Sequence, residues 1–387
     1  MSLYDAVKNA EHPYEALTDS LTELVRAKRF PLNAVFELSP VCNFKCPFCY
    51  ARVSPEEMAA RGERVLRFET WKRLIDEAHE LGTTHITLTG GECMMHPDFT
   101  RIYRYAYEKG FTLTLMTNGS CVTEEILAML AKYPSEFIYL TLYGISPETY
   151  ETVCGSAAYY DRVIANIRAL KALGLQIIMQ YTVDKDNVAD LKAAYELAKE
   201  LDVPLRHTTP DLVYRRSTPE MLEELAAAQD EYRSISEAIF LDQRGATKET
   251  FEKTSVRKIM HVPQPVIEKG VPCGAGRTSF TINYKGNMLP CVTFDAIEIS
   301  VKDRPLKDCW QELVRRCDEV PRLTECTNCI FKTRCKTCVA LHYNDTKEFG
   351  KPSPRICLKK LYPERTAALE EKYARDGYLL REDLEDL

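Results

Sequence analysis

The sequence predicts an α/β protein in which a partial (β/α)6 barrel of the TIM type precedes a smaller cysteine-rich module. Two observations predict this architecture. Short apolar segments alternate with amphipathic helices between about residues 34 and 212, and cysteines recur at short spacings after residue 272. Alternating strands and helices favour a parallel sheet with right-handed crossovers, and 387 residues leave room for a second domain.

The six strand candidates are rich in Ile, Leu, Val, Thr and aromatic residues, as buried strands usually are. They are Ala34–Leu38, His85–Thr89, Thr112–Thr117, Phe137–Tyr143, Gln176–Val183 and Leu205–Leu212. The helices predicted between them include Trp71–Leu81, Tyr160–Leu173 and Val188–Leu201. Ser146 before Pro147 is typical of a further helix start. In such barrels the chemistry lies at the carboxyl ends of the strands.

Composition and charge exclude several classes of partner. There are 51 basic and 57 acidic residues, and the net charge of −6 gives no argument for nucleic acid or an anionic membrane. Residues 1–20 are polar and lack the apolar core of a signal peptide, and no apolar run is long enough to span a bilayer. A cytoplasmic location is therefore expected, where 15 cysteines are better explained as metal ligands than as disulfides.

A cluster of cysteines follows the first predicted strand. Cys42, Cys46 and Cys49 form the pattern C-x3-C-x2-C. Three thiolates on one short loop can hold three irons of a cubic iron–sulfur cluster, which leaves the fourth iron to bind a small molecule. A structural zinc site would want four ligands, usually in two C-x2-C pairs. The spacing therefore predicts an open, reactive iron, with a zinc knuckle or three unrelated thiols as the alternative.

This pattern, with the aromatic Phe48 before its last cysteine, resembles the signature of radical S-adenosylmethionine (radical SAM) enzymes. The resemblance implies a [4Fe–4S] cluster whose free iron binds the amino and carboxylate groups of S-adenosylmethionine. It also implies that an electron from the cluster cleaves this cofactor to a 5′-deoxyadenosyl radical, which abstracts hydrogen from a substrate. The protein then supplies position and shielding.

The same resemblance implies further cofactor contacts. Gly90, Gly91 and Glu92 follow the second strand and match a family segment that binds the amino group of the methionine moiety. Paired glycines let backbone approach a ligand closely, which side chains would prevent. Phe48 is expected to lie against the adenine.

Two candidate contacts follow later strands. Thr141 stands where relatives often place a hydroxyl that bonds the ribose, and Asn118 follows the third strand. Thr141 is equally well interpreted as a half-buried strand residue, and Asn118 is equally well interpreted as a turn residue. Tyr143 stands where many relatives have an Asp that is catalytic in the maturation of sulfatases. This departure argues against such a substrate, and no catalytic base is assigned.

The later cysteines form two groups. Cys273 and Cys291 occur as C-x12-G-x4-C around a β-hairpin predicted from its turn residues at 285–287. The second group follows downstream, and the two groups together resemble the SPASM domain, which carries two auxiliary iron–sulfur clusters. By resemblance, one cluster would be held by Cys273, Cys291 and Cys338. The other would be held by Cys326, Cys329, Cys335 and Cys357.

The first auxiliary set has only three members. The fourth iron of this cluster could stay open, bind a non-cysteine ligand, or be held by Cys309 or Cys317. The run C-x2-C-x5-C-x2-C, which has one residue fewer in its last spacing than the family pattern, is by itself also a reasonable zinc site. Three other cysteines fit no ligand pattern and are interpreted as small buried hydrophobes. They are Cys93, Cys121 and Cys154.

These patterns suggest five segments. They are an N-terminal extension (1–33), the barrel (34–216), a helical linker (217–272), the SPASM-type domain (273–360) and a C-terminal helical tail (361–387). Family precedent favours a ribosomally made peptide or protein that is oxidised or cross-linked. The alternatives are a small-molecule dehydrogenase and a non-catalytic iron–sulfur or zinc-binding protein.

The chemistry implies partners. A radical SAM enzyme needs an electron donor such as flavodoxin or ferredoxin. Residues 1–33 are too short for the leader-binding domain of many peptide-modifying relatives. A separate leader-peptide-binding protein is therefore one expectation, and a small substrate is the other.

Overall fold

The structure is a computed structural model, and its description covers most of the chain. The described residues are 24–208, 231–232, 235, 239, 270–327, 329–331, 338–377 and 379. The end of the last predicted barrel strand (209–212), nearly all of the predicted linker (217–272) and Cys335 lie outside them.

A mixed sheet forms the centre of the described protein. Its strands are β1 (Asn33–Ser39), β2 (His85–Gly90), β3 (Thr112–Thr117), β4 (Phe137–Leu142), β5 (Ile177–Thr182), β6 (Leu205–Thr208), β7 (Ser279–Ile282), β8 (Asn287–Leu289) and β9 (Ile299–Ser300). Their order across the sheet is β6-β5-β4-β3-β2-β1-β7-β8-β9. The first six strands are parallel and adjacent in chain order, which confirms the predicted strand–helix units.

Helices connect and cover these strands. In the barrel they are α1 (Pro55–Ala60), α2 (Phe68–Glu80), α3 (Phe99–Glu108), α4 (Glu124–Lys132), α5 (Pro147–Cys154), α6 (Tyr160–Ala172) and α7 (Leu191–Leu201). Beyond residue 300 they are α8 (Leu306–Glu319), α9 (Thr324–Thr327), α10 (Val339–Thr346), α11 (Leu358–Leu361) and α12 (Pro363–Asp376). Short 3-10 turns cover Cys93–Met95, Ala157–Tyr159 and Val188–Asp190.

The helix ends show why these segments are helical. Ser146 accepts a hydrogen bond from the Thr149 N–H and Pro147 occupies the first turn of α5, as predicted. The predicted helix from Val188 begins instead as a 3-10 turn before α7. The predicted helical tail contains α12. This helix ends before Gly377, whose backbone is in the left-handed conformation.

The core of the barrel lies between the sheet and its helices. Ala34, Phe36 and Leu38 alternate along β1 and are fully buried, and the Phe36 ring lies 5.0 Å from the ring of Trp71 on α2. Side chains alternate between the two faces of a strand. The opposite face is more polar and less buried, with residues such as Thr141. The face of the sheet away from these helices is therefore polar.

The predicted β-hairpin is present, but the sequence did not indicate which strand of the barrel it pairs with. Strands β7 and β8 pair antiparallel, and β7 also pairs in parallel with β1, from Asn33 opposite Ser279 to Phe36 opposite Ile282. The later module therefore continues the barrel sheet. No local signal marks such a pairing, because its two strands are far apart in the sequence. It places the segment between Cys273 and Cys291 beside the strand that leads to Cys42.

A cluster of charges on the outer surface gives a pH-dependent prediction. Asp76 on α2 accepts hydrogen bonds from Tyr105 (2.6 Å) and Lys72 (3.0 Å) and lies 2.5 Å from the Lys109 ammonium. Burial opposes ionisation of this carboxyl, but the bonds from Lys109, Tyr105 and Lys72 outweigh it and lower the pKa of Asp76 from 3.8 to about 2.

We expect Asp76→Asn to lower the free energy of unfolding at pH 7 by about 1 kcal/mol, because the cluster is only partly buried. A depressed carboxyl pKa stabilises above the unfolded value. The difference from the parent should therefore disappear as the pH falls from about 4 toward 2. Urea titrations against pH measure it, with exposed Glu80→Gln on the same helix as control. A difference that does not depend on pH would contradict the assignment.

Candidate active site

The three cysteines predicted to hold the catalytic cluster lie on the loop after β1. Cys42, Cys46 and Cys49 are half-buried thiols. Burial, together with the charges of Glu92, Cys49 and Cys46, raises the pKa of Cys42 to about 12. The three thiols are therefore close neighbours, as ligands of one metal centre must be.

Backbone donors already point at two of the sulfurs. The Phe44 N–H donates to the Cys42 Sγ over 3.4 Å, and the Arg52 N–H donates to the Cys49 Sγ over 3.3 Å. Hydrogen bonds to cysteine sulfurs are among the features that tune iron–sulfur clusters. The donor set and its surroundings therefore fit a cluster held by three thiolates.

Glu92 has a structural role in this arrangement. Its side chain is fully buried and accepts hydrogen bonds from the Asn118 N–H (2.7 Å), the Met94 N–H (3.0 Å) and the Thr117 hydroxyl (2.9 Å). Burial raises the pKa of Glu92, and the same donors oppose the rise. The carboxylate thus ties the end of β2 to the end of β3, and its predicted cofactor contact stays a prediction.

We expect Glu92→Gln to lower the free energy of unfolding by about 2 kcal/mol, because the amide nitrogen cannot accept from donors left buried around it. Equilibrium denaturation measures this loss, with the exposed Glu125→Gln as control. Equal stability of the two variants would show that the Glu92 carboxylate does not hold these strand ends together.

Gly90 and Gly91 allow β1 and β2 to approach at their ends. A Cβ at residue 90 would overlap the Ser39 carbonyl oxygen, and one at residue 91 would lie 2.5 Å from the Pro40 carbonyl oxygen. The Gly91 N–H donates to the Ser39 oxygen over 2.7 Å. The two glycines therefore position the backbone that leads into the cysteine loop. Their role in seating the methionine end of the cofactor stays a prediction.

Asn118 contacts the cysteine loop directly. Its Nδ2 donates to the Asn43 Oδ1 over 3.0 Å and lies 3.5 Å from the Cys42 Sγ. Its Oδ1 accepts from the Ser120 hydroxyl over 2.6 Å, and this hydroxyl accepts from the Asn43 Nδ2 over 2.9 Å. Sequence reasoning missed Asn43 and Ser120, since single polar residues in turns carry no pattern. Asn118 therefore positions Cys42, a predicted cluster ligand.

Aromatic rings cover another side of the loop. Phe48 stacks on Tyr143 with ring centroids 6.4 Å apart, and Phe44 meets Tyr143 edge-on at 5.4 Å. Burial raises the pKa of Tyr143, and the charges of the three cysteines raise it further. Tyr143 therefore lies beside the cysteine cluster. Thr141, half-buried on β4, and Phe48 stay predicted cofactor contacts.

The cysteines without a ligand pattern also lie near the site. Cys93 and Cys154 are fully buried, as predicted, whereas Cys121 is half-buried. The Cys154 thiol donates to the Tyr150 carbonyl over 3.0 Å, and the Cys154 carbonyl accepts from the Lys45 N–H over 2.9 Å. Cys154 thus packs against the cysteine loop from α5.

The later cysteines also come together where they are described. Burial raises the pKa of Cys291, and the charges of Cys338 and Cys273 raise it further. Cys329 has Cys357 among its charged neighbours, and its N–H donates to the Cys326 carbonyl over 3.4 Å. In the part of the chain that the structure describes, no group of three His, Cys, Asp or Glu side chains is close enough to hold a single metal ion. Ligands of an iron–sulfur cluster are spaced more widely, because several irons lie between them.

A partial barrel with three neighbouring thiols at the end of its first strand is the arrangement that the resemblance to radical SAM enzymes implies. Residues 36–198 match the family model described as the Radical SAM superfamily, so this part of the chain is a Radical SAM domain. The curated relatives and solved structures that are similar to the chain align with it well beyond this domain.

Curated relatives align with most of the chain. An AdoMet-dependent heme synthase of Methanosarcina barkeri is 24% identical over 84% of this chain and 95% of the relative. A PqqA peptide cyclase of Gluconobacter oxydans is 25% identical over 79% of this chain and 84% of the relative.

Solved structures share the fold at lower identity. Streptococcus suis SuiB bound to precursor peptide SuiA is 18% identical, with a TM-score of 0.60 over 88% of this chain and 80% of that one. The enzyme anSMEcpe with bound AdoMet is 14% identical, with a TM-score of 0.61 over 88% of this chain and 96% of that one. Both matches extend past the barrel, which supports the predicted combination of barrel and SPASM-type domain. No helix in the described ranges has the length and apolar character to cross a bilayer.

Proposed function

We propose that this radical SAM enzyme oxidises or cross-links a ribosomally made peptide or protein. The observation that carries the proposal is the cysteine loop at the carboxyl edge of a barrel whose inner wall is polar and partly open. The relatives add support, since one is named as a peptide cyclase and one neighbour is bound to a precursor peptide.

The chain's own residues have defined tasks in this function. Cys42, Cys46 and Cys49 hold the catalytic [4Fe–4S] cluster, and Asn118 and the backbone N–H groups fix the sulfurs. When bound, the cluster and S-adenosylmethionine supply a 5′-deoxyadenosyl radical for hydrogen abstraction. Tyr143 and Phe48 shield the site from water on one side.

The later cysteines hold two auxiliary iron–sulfur clusters in this proposal. Cys273, Cys291 and Cys338 contribute to one, and Cys326, Cys329, Cys335 and Cys357 form the other. These clusters accept the second electron after hydrogen abstraction or anchor the substrate. A flavodoxin or ferredoxin would deliver the first electron, and a separate protein could present the peptide.

A small molecule is the second candidate substrate. It is favoured by the heme synthase relative, whose whole length aligns almost completely with this chain. The polar inner wall of the barrel is compatible with either substrate class.

Deuterium transfer distinguishes the two. Short peptides encoded beside the gene would be synthesised with deuterium at every carbon-bound position and added, one at a time, to reconstituted enzyme with S-adenosylmethionine and dithionite. The proposal expects one deuterium in 5′-deoxyadenosine and, in the peptide, the loss of that deuterium together with one further hydrogen or deuterium. Release of unlabelled 5′-deoxyadenosine with every peptide would reject the peptide substrate and favour the small molecule.

A further inference from the structure

Cys317 lies beside the first auxiliary set of cysteines. It is on the last turn of α8 and is 1% exposed. Asp318, Cys273 and Cys291 are among its electrostatic neighbours. Cys273 also interacts with Cys291 and Cys338. Cys273 is thus the common neighbour of the other three thiols.

Backbone hydrogen bonds join Cys317 to the segment that carries Cys273. The Val271 N–H donates to the Cys317 carbonyl over 3.1 Å, and the Gly270 N–H donates to the Val320 carbonyl over 2.6 Å. The end of α8 and the approach to Cys273 are therefore held side by side, even though they are more than 40 residues apart in sequence.

The turn after Cys273 leaves space for the Cys317 sulfur. The Gly274 carbonyl accepts from the N–H groups of Arg277 (2.9 Å), Thr278 (2.8 Å) and Ser279 (3.0 Å), which closes a tight turn. A Cβ at Gly276, inside this turn, would overlap the Cys317 Sγ. Glycine at this position therefore lets the Cys317 sulfur lie against the turn that follows Cys273.

The surrounding charges suit a negatively charged cluster. Arg277 interacts with the charge of Cys273 and donates through Nε to the Val271 carbonyl over 2.8 Å. Arg322 donates to the Gly270 carbonyl over 2.9 Å. The carboxylate of Asp318, next to Cys317, forms an ion pair with Arg29 at 2.6 Å. A cluster with four thiolates is anionic, and these arginines would stabilise it.

We propose that Cys317 is the fourth protein ligand of the first auxiliary cluster, with Cys273, Cys291 and Cys338. This inference rests on the proposed function, because it requires an auxiliary cluster at that place. Cys309, the other candidate on α8, instead donates to the Ser300 carbonyl at 3.5 Å, and its charged neighbours are Arg304, Glu312, Asp308 and Glu77. With Cys317 as a ligand, the cluster has no open iron for substrate, and its function is electron transfer.

Iron counting in a suitable background tests the inference. In a full-length variant with Cys42, Cys46 and Cys49 all replaced by Ala, any iron belongs to the auxiliary sites. After anaerobic reconstitution we expect about 8 iron and 8 sulfide per chain, two [4Fe–4S] clusters. Adding Cys317→Ala leaves three thiolates and one iron without a protein ligand, so mild oxidation should lower the content to about 7 and produce the electron paramagnetic resonance signal of a three-iron cluster. Cys309→Ala should keep the full content.

Cys317→Ser keeps the side-chain volume and offers an oxygen ligand. We expect it to restore four irons at this site with an altered spectrum and a shifted midpoint potential, which a packing role would not produce. Iron content and spectra that match those of Cys309→Ala in both Cys317 variants would overturn the ligand role. If the folded background variant holds zinc or no metal at all, the auxiliary-cluster proposal itself fails, and this inference fails with it.

Discussion

Replacing Cys46 by Ala should abolish S-adenosylmethionine cleavage. Two thiolates cannot hold a cluster that needs three protein ligands, so the loss should approach the whole enzymatic acceleration, more than about 10⁶-fold. Production of 5′-deoxyadenosine under anaerobic reduction measures it. Iron content should fall by about 4 per chain, since the auxiliary sites have their own cysteines.

Cys121→Ser is the matched control for this prediction. Cys121 lies next to the same loop, with its Sγ 3.9 Å from the Asn43 Oδ1, but it is outside the set of three. We expect this variant to keep the iron content and the rate of 5′-deoxyadenosine formation within about twofold. Comparable losses in both variants would mean that the loop, rather than three specific thiolates, determines activity.

Gly90→Ala should disrupt the same site through the backbone. Residue 90 has a φ of +143°, and a Cβ would overlap the Ser39 carbonyl oxygen, which cannot move without displacing the loop that carries Cys42. We expect the free energy of unfolding to fall by roughly 3 kcal/mol. Cluster assembly and 5′-deoxyadenosine formation should fall with it.

Gly110→Ala is the control that separates the cost of a positive φ from the cost of a steric overlap at the added Cβ. Gly110 also has a positive φ, +90°, but among the described residues no atom lies within 4 Å of its Cβ position. Its substitution should cost about 1 kcal/mol, from conformation alone. Equilibrium denaturation and iron analysis compare the two variants. Equal costs, with full iron content in both, would show that the close approach of β1 and β2 does not position the cysteine loop.

Much of the fold could be predicted from local pattern. The six parallel strands are rich in Ile, Leu, Val, Thr and aromatic residues, and Ser146 marks a helix start by capping, which is a local property. The pairing of β7 with β1 could not be predicted, because it depends on contacts between distant segments that no spacing in the sequence records.

The site, like the fold, has features that could be predicted from the sequence and features that could not. Cysteine spacing is visible in sequence, so Cys42, Cys46 and Cys49 could be found without a structure. The clamp formed by Asn43, Asn118 and Ser120 could not, since it unites turns from two strand ends. The sequence predicts a cofactor contact for Glu92, but it does not indicate the buried donors through which this carboxylate ties two strand ends together. Burial of this kind is decided only by three-dimensional packing.

The central claim is that the three thiolates on the loop after β1 leave one iron free to bind S-adenosylmethionine. Electron–nuclear double resonance on the reduced, reconstituted enzyme tests it most directly, with S-adenosylmethionine labelled with ¹⁵N at the amino group and ¹⁷O at the carboxylate. We predict couplings from both labels to the cluster spin, and their absence in the variant with all three cysteines replaced. A reduced cluster on intact Cys42, Cys46 and Cys49 that shows no coupling to either label would contradict the account.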